Sequence, residues 1–393
     1  MKALHIASFN GNIGDIINHI GFWNSFKKFI TPSVDVTPLE MRYFYRSWHL
    51  KEFNEEFVDY ANTFDLIVFG GGNFFDIQWN ESKSGVTIDI DPLLLSKIKA
   101  PIIFNGIGVD IGKDECNTAL DKFEKFLDAA VDKKNCVISV RNDGSIDLLH
   151  KYFGDKYENA VIEIPDGGFF TSARSFEHPE LPIDKKVIAV NVACDKKDVR
   201  WPSQTFTYEN FCYFFAKTTE HLLNEYEDMS LVYIPHIPSD INVISDIINK
   251  TNDAVRRQKI TIAPLLNGYN TSAEYIIDLY KKSFITIGMR YHSNICAISQ
   301  GTPTIGIVNL DKHICLYNKI GMEERLVSVN SGNFELQLFN AVKKINNNPK
   351  KYEDENTLLV KSLSRKNQEY FEMIKNSIKN EGQAAYALTD NSI

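Results

Sequence analysis

Short apolar runs alternate with longer amphipathic stretches along almost the whole chain. In the first half the runs fall at residues 3–9, 66–69, 102–105, 137–140 and 161–164. Helical periodicity fills several of the gaps, as at residues 119–131 and 145–153. Runs rich in Val, Ile and Phe, separated by amphipathic helices, describe parallel strands buried on both faces. The second half repeats the habit, with predicted strands at 187–192, 231–234, 260–262, 284–287 and 304–308. Predicted helices there cover 208–225, 273–282 and 293–300. Thr271-Ser272-Ala273-Glu274 has the form of a capping box, which would set the start of the helix after Asn270.

Residues 171–186 are polar, contain Pro179 and Pro182, and read as the linker. The pattern therefore predicts an α/β chain of two doubly wound, Rossmann-like domains facing a cleft, a GT-B-like architecture. The expected divisions are 1–175, 186–350, and a C-terminal helix and tail at 351–393. The last helix, about 357–377, is expected to pack back on the first domain, and the tail from 381 to fray. No short repeat or low-complexity tract is visible.

In open α/β sheets ligands bind at the carboxyl ends of the strands, so the residues just past each run matter most. After the first run comes Asn10-Gly11-Asn12-Ile13-Gly14-Asp15, and after the second Gly70-Gly71-Gly72-Asn73. Gly106-Ile107-Gly108, Arg141-Asn142-Asp143-Gly144-Ser145 and Pro165-Asp166-Gly167-Gly168 follow the next three. Glycines there let the backbone turn sharply and approach a ligand. None of these loops is a dinucleotide fingerprint or a Walker A loop.

The second half supplies charge. One strand ends in Pro235-His236-Ile237-Pro238-Ser239-Asp240 and another in Gly288-Met289-Arg290-Tyr291-His292-Ser293. Arg290 and His292 open a helix directly after a buried strand, a good place for a phosphate or carboxylate. The alternative is an inter-domain salt bridge for Arg290 and a satisfied, half-buried His292. His236 is a candidate cation of the same kind, whereas Asp240 reads as part of a helix N-terminus. Lys312 either adds a further positive group or is a solvated lysine at a helix start. Arg141 closes a first-half strand, with Asp143 or Ser145 as a helix cap beside it.

Composition narrows the classes. The chain has 393 residues, 44% hydrophobic, with 51 acidic against 43 basic side chains and a net charge of −8. That is a globular composition with room for two cores, and a poor match for affinity built on nucleic-acid phosphates. A local basic pocket is compatible with it. The six cysteines, at 116, 136, 194, 212, 296 and 315, form no CxxC pair and read as buried free thiols. No stretch approaches the roughly 18 apolar residues of a membrane span, and the N-terminus reads as a strand rather than a signal peptide. The expectation is a soluble cytoplasmic protein.

Taken together, the residues resemble a family. Gly11-Asn12-Ile13-Gly14-Asp15, Gly70–Gly72, Arg141-x-Asp143-x-Ser145, Pro165-Asp166, Pro235-His236, Met289-Arg290-x-His292, Ala297 and Gly301-x-Pro303 look like the polysaccharide pyruvyltransferases. The match in order and spacing covers about residues 8–320, with departures at Ile16 and Asn142. The resemblance implies a GT-B-like enzyme of exopolysaccharide or other polysaccharide biosynthesis. It would move the pyruvyl unit of phosphoenolpyruvate onto a sugar as a cyclic ketal and release phosphate. It also implies an acceptor side on the first domain and a donor side on the second, with the donor gripped by Arg141, Arg290 and His292.

On these grounds His292 is assigned acid–base work, and Asp15 is ranked first among Asp15, Asp166 and His236 as the acid for the methylene carbon. Arg141, Arg290, His236 and Lys312 are the expected donor-binding groups. Gly11, Asn12, Gly14, Gly71, Gly72 and Gly108 are the expected loop backbone. Phosphoenolpyruvate is the co-substrate, and no separate cofactor and no metal are expected; Asp89-Ile90-Asp91 is a DxD by chance. Expected partners are the small-molecule donor and a sugar or lipid-linked glycan acceptor, with no nucleic acid and at most peripheral membrane association. A homo-oligomer is left open. Two other readings stand beside this one: a nucleotide-sugar glycosyltransferase of the same architecture, and an inactive glycan- or anion-binding homologue. The aromatic clusters Tyr43-Phe44-Tyr45-x-x-Trp48 and Phe74-Phe75-x-x-x-Trp79 either pack a core or stack on sugar rings.

Overall fold

The computed structural model describes residues 1–389 except 46, 49, 113–116, 204–205 and 267–269, with side chains as far as 379. Cys116 thus lies outside the described residues. Two compact units result, each interleaved in sequence: Met1–Phe9 with Phe22–Gly167 and Leu363–Ile393, and Asn10–Gly21 with Gly168–Ser362.

The first unit is built on β1 (Lys2–Ala7), β2 (Asp35–Glu40), β3 (Leu66–Gly70), β4 (Phe75–Ile77), β5 (Ile102–Ile107), β6 (Val109–Ile111), β7 (Cys136–Arg141) and β8 (Val161–Ile164). Six of these form a parallel sheet in the order β2-β1-β3-β5-β7-β8, and β4 pairs with β6 separately. Alternation along the strands serves two faces. Leu4, Ile6, Ile67 and Phe69 join a core with Phe75, Phe123 and Phe126. Ala3, Leu66 and Val68 face the other way, against Phe22, Phe26, Tyr370, Phe371 and Ile374.

The second unit contains β9 (Lys186–Asn191), β10 (Met229–Tyr233), β11 (Ile260–Ile262), β12 (Ile285–Gly288), β13 (Thr304–Val308) and β14 (Leu326–Ser328). They form a parallel sheet in the order β11-β10-β9-β12-β13-β14. One face buries Ile188, Val190, Leu231 and Tyr233 with Phe211, Phe215 and Phe334. The other buries Val187, Ala189 and Val232 with Ile276, Leu279 and the isoleucines at 13, 16, 17 and 20.

In each sheet the first strand is an internal one, and the chain winds outward from it both ways. The strand order reverses between β1 and β3 in the first unit and between β9 and β12 in the second. Crevices for ligands open at such switch points.

Several expectations change. The helix Ile13–Phe29 gives its first half to the second unit, because its four isoleucines pack there. The sequence boundary at 175 moves to 167/168, so residues 171–186 group with the second unit. The return to the first unit falls at 362/363, inside the helix Pro349–Thr389, rather than at 351. That helix is described as far as Thr389, and residues 390–393 lie outside the described residues. Thr271 is already helical, in Asn270–Lys282, so it is not the cap. Its hydroxyl and the Glu274 carboxylate instead meet Arg174, at 3.5 and 3.3 Å.

Candidate functional site

Four chain segments converge at the carboxyl edge of the second unit's sheet. They are the loop before the helix Ile13–Phe29 and the residues following β9, β10 and β12. Asn191, at the end of β9, ties three of them together. Its Nδ2 donates to Ile234 O beyond β10 at 2.9 Å, and its Oδ1 accepts the Arg290 N–H beyond β12 at 3.0 Å. The fourth is tied by Ile13 N, which donates to His236 O at 3.4 Å. Asn12 Oδ1 accepts the Gly14 N–H at 3.0 Å, an Asx contact that starts the helix. Gly11 turns into it at φ 75°, which only glycine adopts freely.

Arg290 caps the helix Tyr291–Ser299 in an extended conformation. Its Nε donates to Asp240 Oδ2 at 2.8 Å and Oδ1 at 3.1 Å, and its Nη2 to Asp240 Oδ1 at 2.5 Å. Nη2 also reaches Asp195 Oδ1 at 2.8 Å. None of these bonds uses Nη1. Asp240 is held in turn by its place in the helix Pro238–Lys250. With Pro238 in the first turn, Asp240 reaches back to the N–H groups of His236 at 2.9 Å and Ile237 at 3.3 Å. Its carboxylate is fully buried. Arg290 therefore pairs within its own unit.

His292 is the second residue of the same helix, buried against Gly14, where a β-carbon would stand 2.7 Å from its Cγ. Asp15, half-buried, follows Gly14. His236 Nε2 lies 2.8 Å from Tyr280 Oη. Burial, then Arg290 and His292, push the His236 pKa well below 6.5, and burial pushes the Tyr280 phenol well above 10. A neutral imidazole and a protonated phenol share that bond. His236 thus brings no positive charge, contrary to the cationic role expected of it. Lys312 sits in the first turn of the helix Asp311–Lys319 after β13, on the same edge.

Sequence reading missed two members. Asp195 follows β9 and Arg200 ends the short helix Lys197–Arg200. Arg200 is buried, with Nη1 on Asn309 Oδ1 at 2.8 Å, Nε on Asp195 O at 2.9 Å and Nη2 on Asp195 Oδ1 at 3.5 Å. Burial raises the Asp195 pKa, but Arg290 and Arg200 outweigh it and hold the carboxyl below its ordinary value. Asp195 was findable by the strand-end rule that found Arg290; Arg200 lies inside a polar run that reads as surface.

The remaining expected residues belong to the first unit. Arg141 is 4% exposed, with Nε on Asp143 Oδ2 at 2.5 Å, so its charge is met by a buried carboxylate beside it. Like Arg290, it is already paired with a buried carboxylate. Gly108 makes room for it: a β-carbon would lie 2.6 Å from both Arg141 Nη2 and Asn73 Oδ1. The cap of the helix Ser145–Phe153 is Gly144 at φ 92°, not Asp143 or Ser145. Gly71 is left-handed at φ 79°, and a β-carbon on Gly72 would strike Phe74. Asp166 is buried after β8, with its N–H on Asn142 Oδ1 at 3.2 Å.

The aromatic clusters divide. Phe44, Phe74 and Phe75 are core, whereas Tyr43, Trp48 and Trp79 are exposed. Asp91 caps the helix Pro92–Lys97 and Asp89 accepts the Lys83 N–H, so the DxD letters serve turns. No disulfide joins the five described cysteines. A separate cavity of about 240 Å³ lies at the amino ends of β13 and β14, where Glu355 meets the charge of Arg325. No described helix is long and apolar enough to cross a membrane.

Residues 12–311 match the family described as polysaccharide pyruvyl transferase. No curated protein matches the chain. Among solved structures, the UDP-GlcNAc 2-epimerase from Neisseria meningitidis bound to UDP-GlcNAc is similar with TM-score 0.51 and 12% identity, over 98% of this chain and 100% of that one. An α,α-trehalose-phosphate synthase (UDP-forming) from Burkholderia vietnamiensis gives 0.51 and 10%, over 96% and 97%. The S. aureus MnaA–UDP structure gives 0.50 and 12%, over 90% of each chain. At such identities the likeness is one of fold: two Rossmann-like α/β domains of the GT-B-like kind.

Proposed function

We propose, from the premise that this chain belongs to the polysaccharide pyruvyl transferase family, that it transfers the pyruvyl unit of phosphoenolpyruvate to a sugar. The acceptor is a sugar of a glycan or glycan precursor, and the product is a cyclic ketal. One observation carries the reading. At the second unit's switch point, a guanidinium fixed by a buried aspartate stands two residues before an imidazole packed on the start of a second helix.

Phosphoenolpyruvate bears a carboxylate and a phosphate, and an arginine fork suits either through paired hydrogen bonds. Arg290 anchors one of these groups. The methylene carbon takes a proton, C2 becomes electrophilic, and one sugar hydroxyl attacks it. The C2–O bond to phosphate breaks, and a second hydroxyl closes the ketal. The two hydroxyl protons balance the one gained by carbon and the one leaving on hydrogen phosphate. His292 takes a hydroxyl proton and passes it to the leaving phosphate. Asp15 supplies the proton to the methylene carbon; His236, held neutral, is the poorer acid.

The neighbours bound to UDP and to UDP-GlcNAc favour testing a nucleotide-sugar donor alongside. A donor screen separates the readings: phosphate released from phosphoenolpyruvate against UDP released from UDP-sugars, each with the same glycan acceptors. Turnover of the sugar nucleotide alone would remove the pyruvyl reading.

A further inference from the structure

The Arg290 cluster holds its own anions. Two arginines and two aspartates meet there, so its formal charge is zero. The two carboxylates are held very differently. Asp240 is fully buried and accepts two backbone N–H groups besides the arginine fork. Asp195 is 33% exposed, and the side-chain bonds to its carboxylate come from Arg290 and Arg200.

Each arginine has a further partner besides that carboxylate. Asp240 fixes Arg290, while Asn309 and the Asp195 backbone carbonyl fix Arg200. The chain beside Asp195 is strained as well. Lys196 is the one non-glycine residue of positive φ among the described residues, at φ 54° and ψ 45°. An L-residue occupies that region only at an energetic cost, and such outliers gather at switch segments.

An anionic ligand entering with Asp195 in place would face a like charge. With Asp195 withdrawn, two guanidiniums and one fixed carboxylate remain, a net charge of one positive. Resting on the reading of Arg290 as donor anchor, we propose that Asp195 is a displaceable internal anion. It holds, on Arg290 and Arg200, the place taken by an anionic group of phosphoenolpyruvate, and it leaves when the donor binds. Arg200 thereby becomes a second donor contact. Asp195 also sets selectivity, since a ligand must outcompete a carboxylate to enter.

The test is calorimetric binding of phosphoenolpyruvate to the full chain, with inorganic phosphate and pyruvate as separate probes for the two anionic groups. Asp195→Asn and Asp195→Ala, checked for folding by thermal melting, are expected to bind phosphoenolpyruvate about tenfold more tightly than wild type. Unchanged or weaker binding by the folded variants would overturn the proposal and leave Asp195 a structural partner. Amide exchange on wild type gives an independent readout: the donor should speed exchange at residues 194–197, and slowed or unchanged exchange there contradicts displacement. Arg290→Gln separates the two levels. If it binds phosphoenolpyruvate like wild type, the anchor reading itself falls, and the Asp195 proposal with it. If it loses binding while the Asp195 variants gain none, only the Asp195 proposal falls.

Discussion

Gly14 lies against the imidazole of His292, so closely that a β-carbon at position 14 would stand 2.7 Å from Cγ and 2.9 Å from Cβ of the ring residue. Gly14 is helical and has no positive φ, so the glycine is needed for space rather than for backbone freedom. Alanine there would even favour an isolated helix by about 1 kcal/mol. Gly14→Ala is therefore expected to move His292 and lower kcat about 100-fold, the scale of a displacement near 1 Å at a reacting group. Steady-state kinetics with a thermal melt checks this. Wild-type kcat in a folded variant would show that the ring position is not used.

His236 gives a pH prediction whose sign is fixed by its burial. Its folded pKa lies well below 6.5, so in the unfolded chain it takes up a proton near 6.5 while in the native protein it does not. The stability linked to His236 is complete above about pH 6.5 and is lost as pH falls below it, by about 1.4 kcal/mol per unit until the folded pKa is reached. His236→Asn should flatten the fall in unfolding free energy between about pH 6.5 and 5. Urea melts across that range measure the slope. An equal slope in both proteins would mean the native imidazole titrates normally.

Much of the fold was legible because the parallel strands are nearly continuous Val, Ile and Phe runs. What escaped had physical causes. β2 is an edge strand of sequence DVTPLE, and Pro38 within it reads as a breaker although an edge tolerates proline. β14 is three residues long. The glycine loop at 11–14 follows the first unit's first strand and so reads as part of that domain. Its helix carries Ile13, Ile16, Ile17 and Ile20 into the second unit's core instead. At the site, Arg290 and His292 stand out because a charge directly after a buried strand is conspicuous. The partners that decide whether a charge is available were not visible. Asp143 two residues from Arg141 could be a cap or an ion pair, and only the folded geometry makes it the pair. Asp240 lies 50 positions from Arg290, so no local pattern joins them.

Tyr370 tests the role of the last helix in the first unit. Its buried hydroxyl lies 3.0 Å from both Ser139 Oγ and Asn105 Oδ1, and burial pushes its pKa up. Tyr370→Phe leaves those buried groups short of a partner and should cost about 1–3 kcal/mol of unfolding free energy. Phe371 and Ile374 are unaffected by the change, so packing is retained. Chemical denaturation measures the difference, and a neutral substitution would place the hydroxyl outside the stabilising network.

The central claim is that the Arg290–His292 site moves a pyruvyl group from phosphoenolpyruvate to a sugar. Acceptor-dependent phosphate release from phosphoenolpyruvate, followed for wild type, Arg290→Lys and His292→Asn, tests it most directly. Wild type should release phosphate only when acceptor is present, in step with ketal formation. Arg290→Lys keeps the charge and loses the fork, and should lower kcat/KM about 100-fold or more. His292→Asn should lower kcat by about 10²–10⁴-fold. Phosphate release that ignores the acceptor, or wild-type kinetics in both variants, would contradict the account.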